Sequence, residues 1–413
     1  MSGVFTSRRD SVFVFVALAV GLAIVGAGQT VREGDAAPGA DPGAGIAAEQ
    51  ILAVVHHDRE SPQYIALAGG PSIQRIELPP PPLGEPPPIV RGVYLNAWVF
   101  GGSRLHDLIA LADTTELNTF VIDVKDATGH VTYRSAVPTA IEIGANGELR
   151  TRNVRERLNL LHQHGIHPVA RIVVAKDPLL AKGKPGWAIQ HVDGGVWKDR
   201  FGTEWVDTHR DSVWLYAAEI AQEAVLLGFA EVQFDYIRFP DESPRYMDTA
   251  VFPARLPDES RREAIRRNLA LLGQRVRQTG VPFTLDVFGL TTSSTGDMGI
   301  GQVWEDLVSA ADVVLPMVYP SHYGRGAYGF QQPNAEPYAV VSRALREGLQ
   351  RSAALENPAR IRPFLQSFSI RPPRYTAVEI RAQINAVYDA GLTDWVLWNA
   401  SGRYPANAFE PSR

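Results

Sequence analysis

The chain has 413 residues, 45% of them hydrophobic, enough to bury a large core and to exclude disorder as its general state. Forty basic residues against 45 acidic ones leave a net charge of −5 with no dense basic run, so there is no general attraction for nucleic acid or an anionic membrane. Cysteine is absent, which excludes disulfides and thiolate catalysis.

Arg8 and Arg9 precede "VFVFVALAVGLAIVGAG", an uncharged apolar run of 17 residues from Val12 to Gly28. Basic flank, apolar stretch and small residues Gly26, Ala27 and Gly28 make an export signal, and the length suits either a cleaved peptide or a membrane tether through residues 12–28. The expected location is periplasmic, extracellular or membrane-anchored. Residues 29–90 are rich in Pro, Gly and Ala, with one weak apolar patch, "EQILAVVHH". They close with "PPPPLGEPPP", whose seven prolines in ten residues predict a polyproline II spacer.

From Arg91 onward, β-branched apolar runs alternate with helical patterns. The predicted strands are 92–98, 119–126, 167–177, 231–240, 283–290, 312–320, 362–369 and 395–401. Eight strands separated by helices predict a parallel (β/α)8 TIM barrel over residues 91–404, with 405–413 as a tail. Gly165, Gly228, Gly280 and Gly391 each follow a helical pattern and precede a strand, as left-handed helix stops do.

Chemistry in such a barrel sits at the C-terminal strand ends. Those ends carry Asn96 and Trp98, then Asp123, Lys125 and Asp126, then Lys176 and Asp177, Asp235 and Arg238, Asp286, Tyr319, Gln366, and Trp398 with Asn399. Glu231, Asp312 and Asp394 lie at the opposite ends and are assigned to stability. Carboxylates with aromatic and hydrogen-bonding side chains suit glycoside cleavage, which needs one ionised acid and one protonated acid. Asp235 and Asp286 are on consecutive strands, about 4.8 Å apart between backbones, compatible with a catalytic pair. Asp235 is expected to act as nucleophile or charge stabiliser. Asp286, in more apolar surroundings, is the expected general acid/base, with Asp123 and Asp126 in reserve. Arg238 and Lys125 are expected to keep an acid ionised. The remaining strand-end residues are candidate substrate contacts, and a buried salt bridge or strand-end hydrogen bond is the alternative for each acid taken singly.

Trp187, Trp197 and Trp205 lie in the long segment after the third strand, where they either stack on sugars or pack the loop; Trp214 reads as core. His162, His164 and His167 read as solvated helix-terminal residues at the stability face. No metal, phosphate or dinucleotide motif and no serine elbow is present, so no cofactor is expected.

The strings "VIDVKDATG", "ARIVVAKDPLLA", "DSVWLYAAEIAQEAVLLGFAEVQFDYIRFP" and "IRPFLQSF" resemble the family described as a putative glycosyl hydrolase domain, over about Arg91 to Ser401. That resemblance implies a TIM barrel and a glycosidase-like activity on a carbohydrate. The stretch "GFAEVQFDYIRFP" is also similar in outline to the fourth strand of chitinase-like glycosidases. Gln233 stands where they carry an earlier Asp, however, and Ile237 where they carry the catalytic Glu. An exported two-carboxylate glycoside hydrolase acting on an extracytoplasmic polysaccharide or oligosaccharide is therefore expected. The competing readings are a carbohydrate-binding barrel without catalysis, serving surface-polymer recognition or assembly, and a sugar lyase or isomerase.

Overall fold

A computed structural model describes residues 86–412, together with the backbone of three short strands, Ile51–Val54, Tyr64–Leu67 and Gln74–Glu77, paired antiparallel in that order. The export signal and the rest of the linker up to residue 85 lie outside the described residues. Among the described residues, no helix is long and apolar enough to cross a membrane.

The β-branched runs form the parallel strands β1 (Arg91–Leu95), β2 (Thr119–Lys125), β3 (His167–Val173), β4 (Glu231–Asp235), β5 (Phe283–Phe288), β6 (Val313–Met317), β7 (Phe364–Gln366) and β8 (Trp395–Trp398). Each pairs with its neighbour in sequence, and β8 pairs with β1, so the sheet closes into the expected barrel. Closure leaves no edge in the sheet. Seven crossover helices cover it: α1 (Arg104–Thr114), α2 (Val154–Gln163), α3 (Asp211–Leu227), α4 (Arg261–Arg277), α5 (Trp304–Ala310), α6 (Pro337–Ser352) and α7 (Ala377–Asp389). Capping boxes at Ser260 and Glu263, and at Thr376 and Glu379, start α4 and α7. The four predicted glycine stops all have positive φ, from 66° to 119°, as a left-handed exit requires.

Alternation along the strands sorts side chains into two cores. Phe120, Ile122, Ala170, Ile172, Val232, Phe234, Leu285 and Val287 face the helices. Val121, Val169, Val313, Leu315 and Val396 fill the barrel axis. Below them, Glu231 accepts from Arg362 and Thr284, each at 2.7 Å, and lies 3.3 Å from His167. This is the expected stability end, although His167 is buried there, not solvated, because its strand phase turns it inward.

Lys125 departs from the alternation. Strand β2 slips register against β3 between Asp123 and Lys125, and Lys125 pairs with the outward-facing Ile172. A bulge inserts one residue and turns the next side chain to the other face. Lys125 therefore leaves the barrel mouth and is buried under α3, 2.7 Å from Asp177 and 5.6 Å from the Tyr216 ring centroid.

These buried charges can be tested at both ends of the barrel. Lys125→Met leaves Asp177 buried and uncompensated and should cost about 3–5 kcal/mol in chemical denaturation, most of which the Lys125→Met/Asp177→Asn double variant recovers. At the other end, burial pushes the Glu231 carboxyl up, but Arg362 and His167 outweigh it and hold it at about 2, against 4.5 when unfolded. The native state gains stability from this above pH 4.5 and loses it as the pH falls toward 2. The gain is about 3 kcal/mol, and Glu231→Gln should flatten that limb of the stability curve.

Candidate active site

The same alternation that fills the axis aims a set of polar side chains at its C-terminal end: Tyr94 from β1, Asp123 from β2, Arg171 from β3, Gln233 and Asp235 from β4, Asp286 from β5 and Trp398 from β8. Register places Phe234 beside Leu285, so Asp235 and Asp286 are lateral neighbours on adjacent strands.

Arg171 organises the group. Its Nη1 donates to Asp123 at 2.6 Å, its Nη2 donates to Asp235, and its Nε faces Asp286 Oδ2 at 3.7 Å. One guanidinium thus meets three carboxylates through its three nitrogens, the planar fork that only arginine offers. Trp398 stacks on Tyr94 with ring centroids 3.7 Å apart, and its ring centroid is 4.9 Å from the guanidinium carbon.

The three acids differ. Asp286 is fully buried, and both its oxygens accept from Gln233 Nε2, at 2.8 and 3.0 Å. Burial first, and the neighbouring Asp235 second, push its pKa well above the usual carboxylate range, against the pull of Arg171. Asp123 accepts from Tyr94 Oη, and burial lifts its pKa to about 6 despite Arg171. Asp235 is the most exposed of the three, at 6% against 3% for Asp123 and 1% for Asp286, so a ligand entering the mouth meets it first. The strand ends on Asp235, whose Oδ1 accepts from the Tyr236 amide at 2.6 Å. Tyr236 itself has φ +54°, a conformation rare for a large side chain and characteristic of sites that must hold a group in place.

Asp235, Asp286 and Asp123 therefore converge as expected. Arg238 and Lys125 do not serve as their cations: neither makes an ion pair with these acids, and Arg171 takes that place because it alone has the inward phase in mid-strand. Asp177 is also withdrawn, capping the helix Pro178–Gly183 through the Leu180 amide while paired with Lys125. Asn96 caps the helix Ala97–Gly101 and donates to Ala400 O, so it ties loops and is not a free sugar contact. Gln366 and Asn399 are similarly consumed, the first by Ser321 N and Phe368 O, the second by Ser367 O, Arg403 O and Ser401.

Of the remaining candidates, Asp126 pairs with Arg150 at the rim, next to Trp98, which is 59% exposed and free to meet a ligand. Tyr319 lies buried against the acids with its hydroxyl unpartnered; burial and then Asp286 keep its pKa well above the usual value. Trp197 and Trp205 are buried with Ala175, Ile189 and Met247, so of the two alternatives they take loop packing and not sugar stacking. Trp187 is half-buried and packs against the main core. Sequence reasoning missed Arg171, Tyr94 and Gln233. The available signal was a charged or polar residue at an inward position within an otherwise apolar strand.

Replacing Arg171 with Met should raise the pKa of Asp123 above 6, because it removes the attraction that holds that pKa down. Carboxylate-resolved NMR titration measures the shift.

Among solved structures, the chain is similar to a hypothetical protein from Ruminiclostridium thermocellum, 38% identical over 45% of this chain and 92% of that one, with a TM-score of 0.41. It is similar to the PgaB (BpsB) glycoside hydrolase domain from Bordetella bronchiseptica at 14% identity, covering 76% of this chain and 94% of that one, with a TM-score of 0.53; this is a likeness of fold. An α-galactosidase from Thermus thermophilus aligns over 79% of this chain and 61% of its own, at 15% identity and a TM-score of 0.47. No curated protein matches the sequence. The family model described as "Putative glycosyl hydrolase domain" matches residues 92–404, and the chain, a glycosidase-like TIM barrel, belongs to that family.

Proposed function

We propose that this protein is a glycoside hydrolase that cleaves an extracytoplasmic polysaccharide or oligosaccharide with Asp235 and Asp286. The observation that carries this reading is the pairing of Asp286, whose pKa burial and Asp235 push well above the usual carboxylate range, with Asp235 beside it against Arg171.

Glycoside cleavage requires a proton for the departing oxygen and negative charge for the oxocarbenium-like centre. Asp286 supplies the proton, and burial together with the neighbouring Asp235 raises its pKa in the direction a proton donor needs. Gln233 fixes the Asp286 carboxyl through its side-chain amide. Asp235 supplies the charge, either attacking the anomeric carbon or steadying it. Arg171 locks the Asp235 carboxylate in place, so little reorganisation is needed as charge develops on the sugar. Family membership over residues 92–404 supports the same chemistry. The apolar run from Val12 to Gly28 supports export, which places the substrate outside the cytoplasm.

The test is release of reducing ends from extracellular polysaccharides by the purified protein. Asp235→Asn should abolish it while circular dichroism and melting remain native. Asp286→Asn should lower turnover by about 10²–10⁴ on natural linkages, with much smaller loss on an aryl glycoside whose leaving group needs no proton. Activity should decline as the pH rises through the elevated pKa of Asp286, which removes the proton it donates. Undiminished turnover in both variants would sink the assignment, and polymer binding without product from any substrate would favour a carbohydrate-binding barrel.

A further inference from the structure

We propose that the barrel mouth contains a subsite for an anionic group, a carboxylate or sulfate, on the sugar next to Asp235, formed by Lys176 and Arg238. The proposal rests on the glycoside hydrolase reading and names its substrate class: an acidic glycan.

The two cations stand just past the ends of β3 and β4, at the catalytic face. Both are largely buried, with 9% and 7% of their surface exposed. Buried Lys and Arg are almost always paired, since an uncompensated charge loses its hydration. Among the described residues, neither has a carboxylate within ion-pairing distance, and Lys176 makes no hydrogen bond. Arg238 spends one nitrogen on Phe239 O at 3.0 Å.

Nearby acids are engaged elsewhere. Asp199 accepts from the Phe201 and Thr203 amides and from Trp205 Nε1, and Asp235 is held by Arg171 and the Tyr236 amide.

What surrounds the cations instead is a shared aromatic floor. Arg238 lies 4.8 Å from the Tyr236 ring centroid, 5.2 Å from Trp205 and 4.5 Å from Phe288; Lys176 lies 5.6 Å from Tyr236 and 5.9 Å from Trp205. Ring faces attract cations but satisfy no N–H donor. The left-handed backbone of Tyr236, the residue after the proposed nucleophile, sets its ring against both cations. Burial depresses the pKa of Lys176, with Arg238 adding repulsion, against the opposing pull of Asp199 and Asp235. An anion between the two would offset the cost of burial and their mutual repulsion and accept from their remaining N–H donors.

Binding separates this site from the hydrolysis reading. Isothermal titration of the full chain would use uronate oligosaccharides and sulfated oligosaccharides, each against its carboxyl-reduced or desulfated counterpart. At least one acidic member should bind about ten- to a hundred-fold more tightly than its neutral partner. Lys176→Gln and Arg238→Gln should each erase most of that preference, weakening the acidic member far more than its neutral partner. Preference for the uronate arm or the sulfate arm identifies the anion. Equal binding of acidic and neutral partners, or variants that keep the preference, would overturn the subsite. Hydrolysis of a neutral glycan that depends on Asp235, without any acidic preference, sinks this proposal alone. Acidic preference with no hydrolysis of any glycan leaves the subsite standing and sinks the glycosidase reading.

Discussion

A single buried guanidinium holds the C-terminal face of the barrel together. Arg171 projects into a barrel mouth lined by Asp123, Asp235 and Asp286, and without it three largely buried carboxylates would crowd one another uncompensated. Its charge lets two of them approach each other, and its fork geometry fixes where they point. The arrangement is costly. Burial lifts Asp123 from 3.8 to about 6, so at neutral pH its ionisation costs the fold about 3 kcal/mol relative to a solvated acid. A barrel optimised for stability alone would place apolar residues there, as it does one layer below with Val121, Val169 and Leu315. Polar strain at the top and an apolar waist are the usual division of labour between function and stability in this fold.

The two ends of the barrel solve the same electrostatic problem differently. At the N-terminal end, Glu231 sits among Arg362, His167 and Thr284, and its charge is fully satisfied. At the C-terminal end, charges are left partly answered: Asp286 leans toward protonation, the Tyr319 hydroxyl has no partner, and Lys176 and Arg238 rest on rings. Groups left short of protein partners in a largely buried site are those with most to gain from a ligand, which is why perturbed groups gather at functional sites.

Much of this is legible in the chain itself. Eight β-branched runs with helical spacers lead to the barrel, and glycine stops mark where helices end, because period and chain reversal are local properties. Asp235, Asp286 and Asp123 can be placed at the mouth because strand ends follow from the same pattern. Arg171 escapes such a reading because it lies in mid-strand, where a charge looks like an interruption until its inward phase is known. Asn96, Gln366 and Asn399 stand in the right places but are taken up by loop ties that join segments far apart in the chain.

Hydrophobic period and strand order are written in the chain, and they prescribe the barrel and the acids that stand at its C-terminal end. Which charges face one another is a property of the folded barrel. A one-residue bulge after Asp123 sent Lys125 outward to Asp177, the inward phase of β3 brought Arg171 to all three carboxylates, and a left-handed turn at Tyr236 set an aromatic floor beneath Lys176 and Arg238. Side-chain direction along a strand reverses with each residue, so a single local slip reassigns a residue from the mouth to the core, and no periodicity in the chain records it.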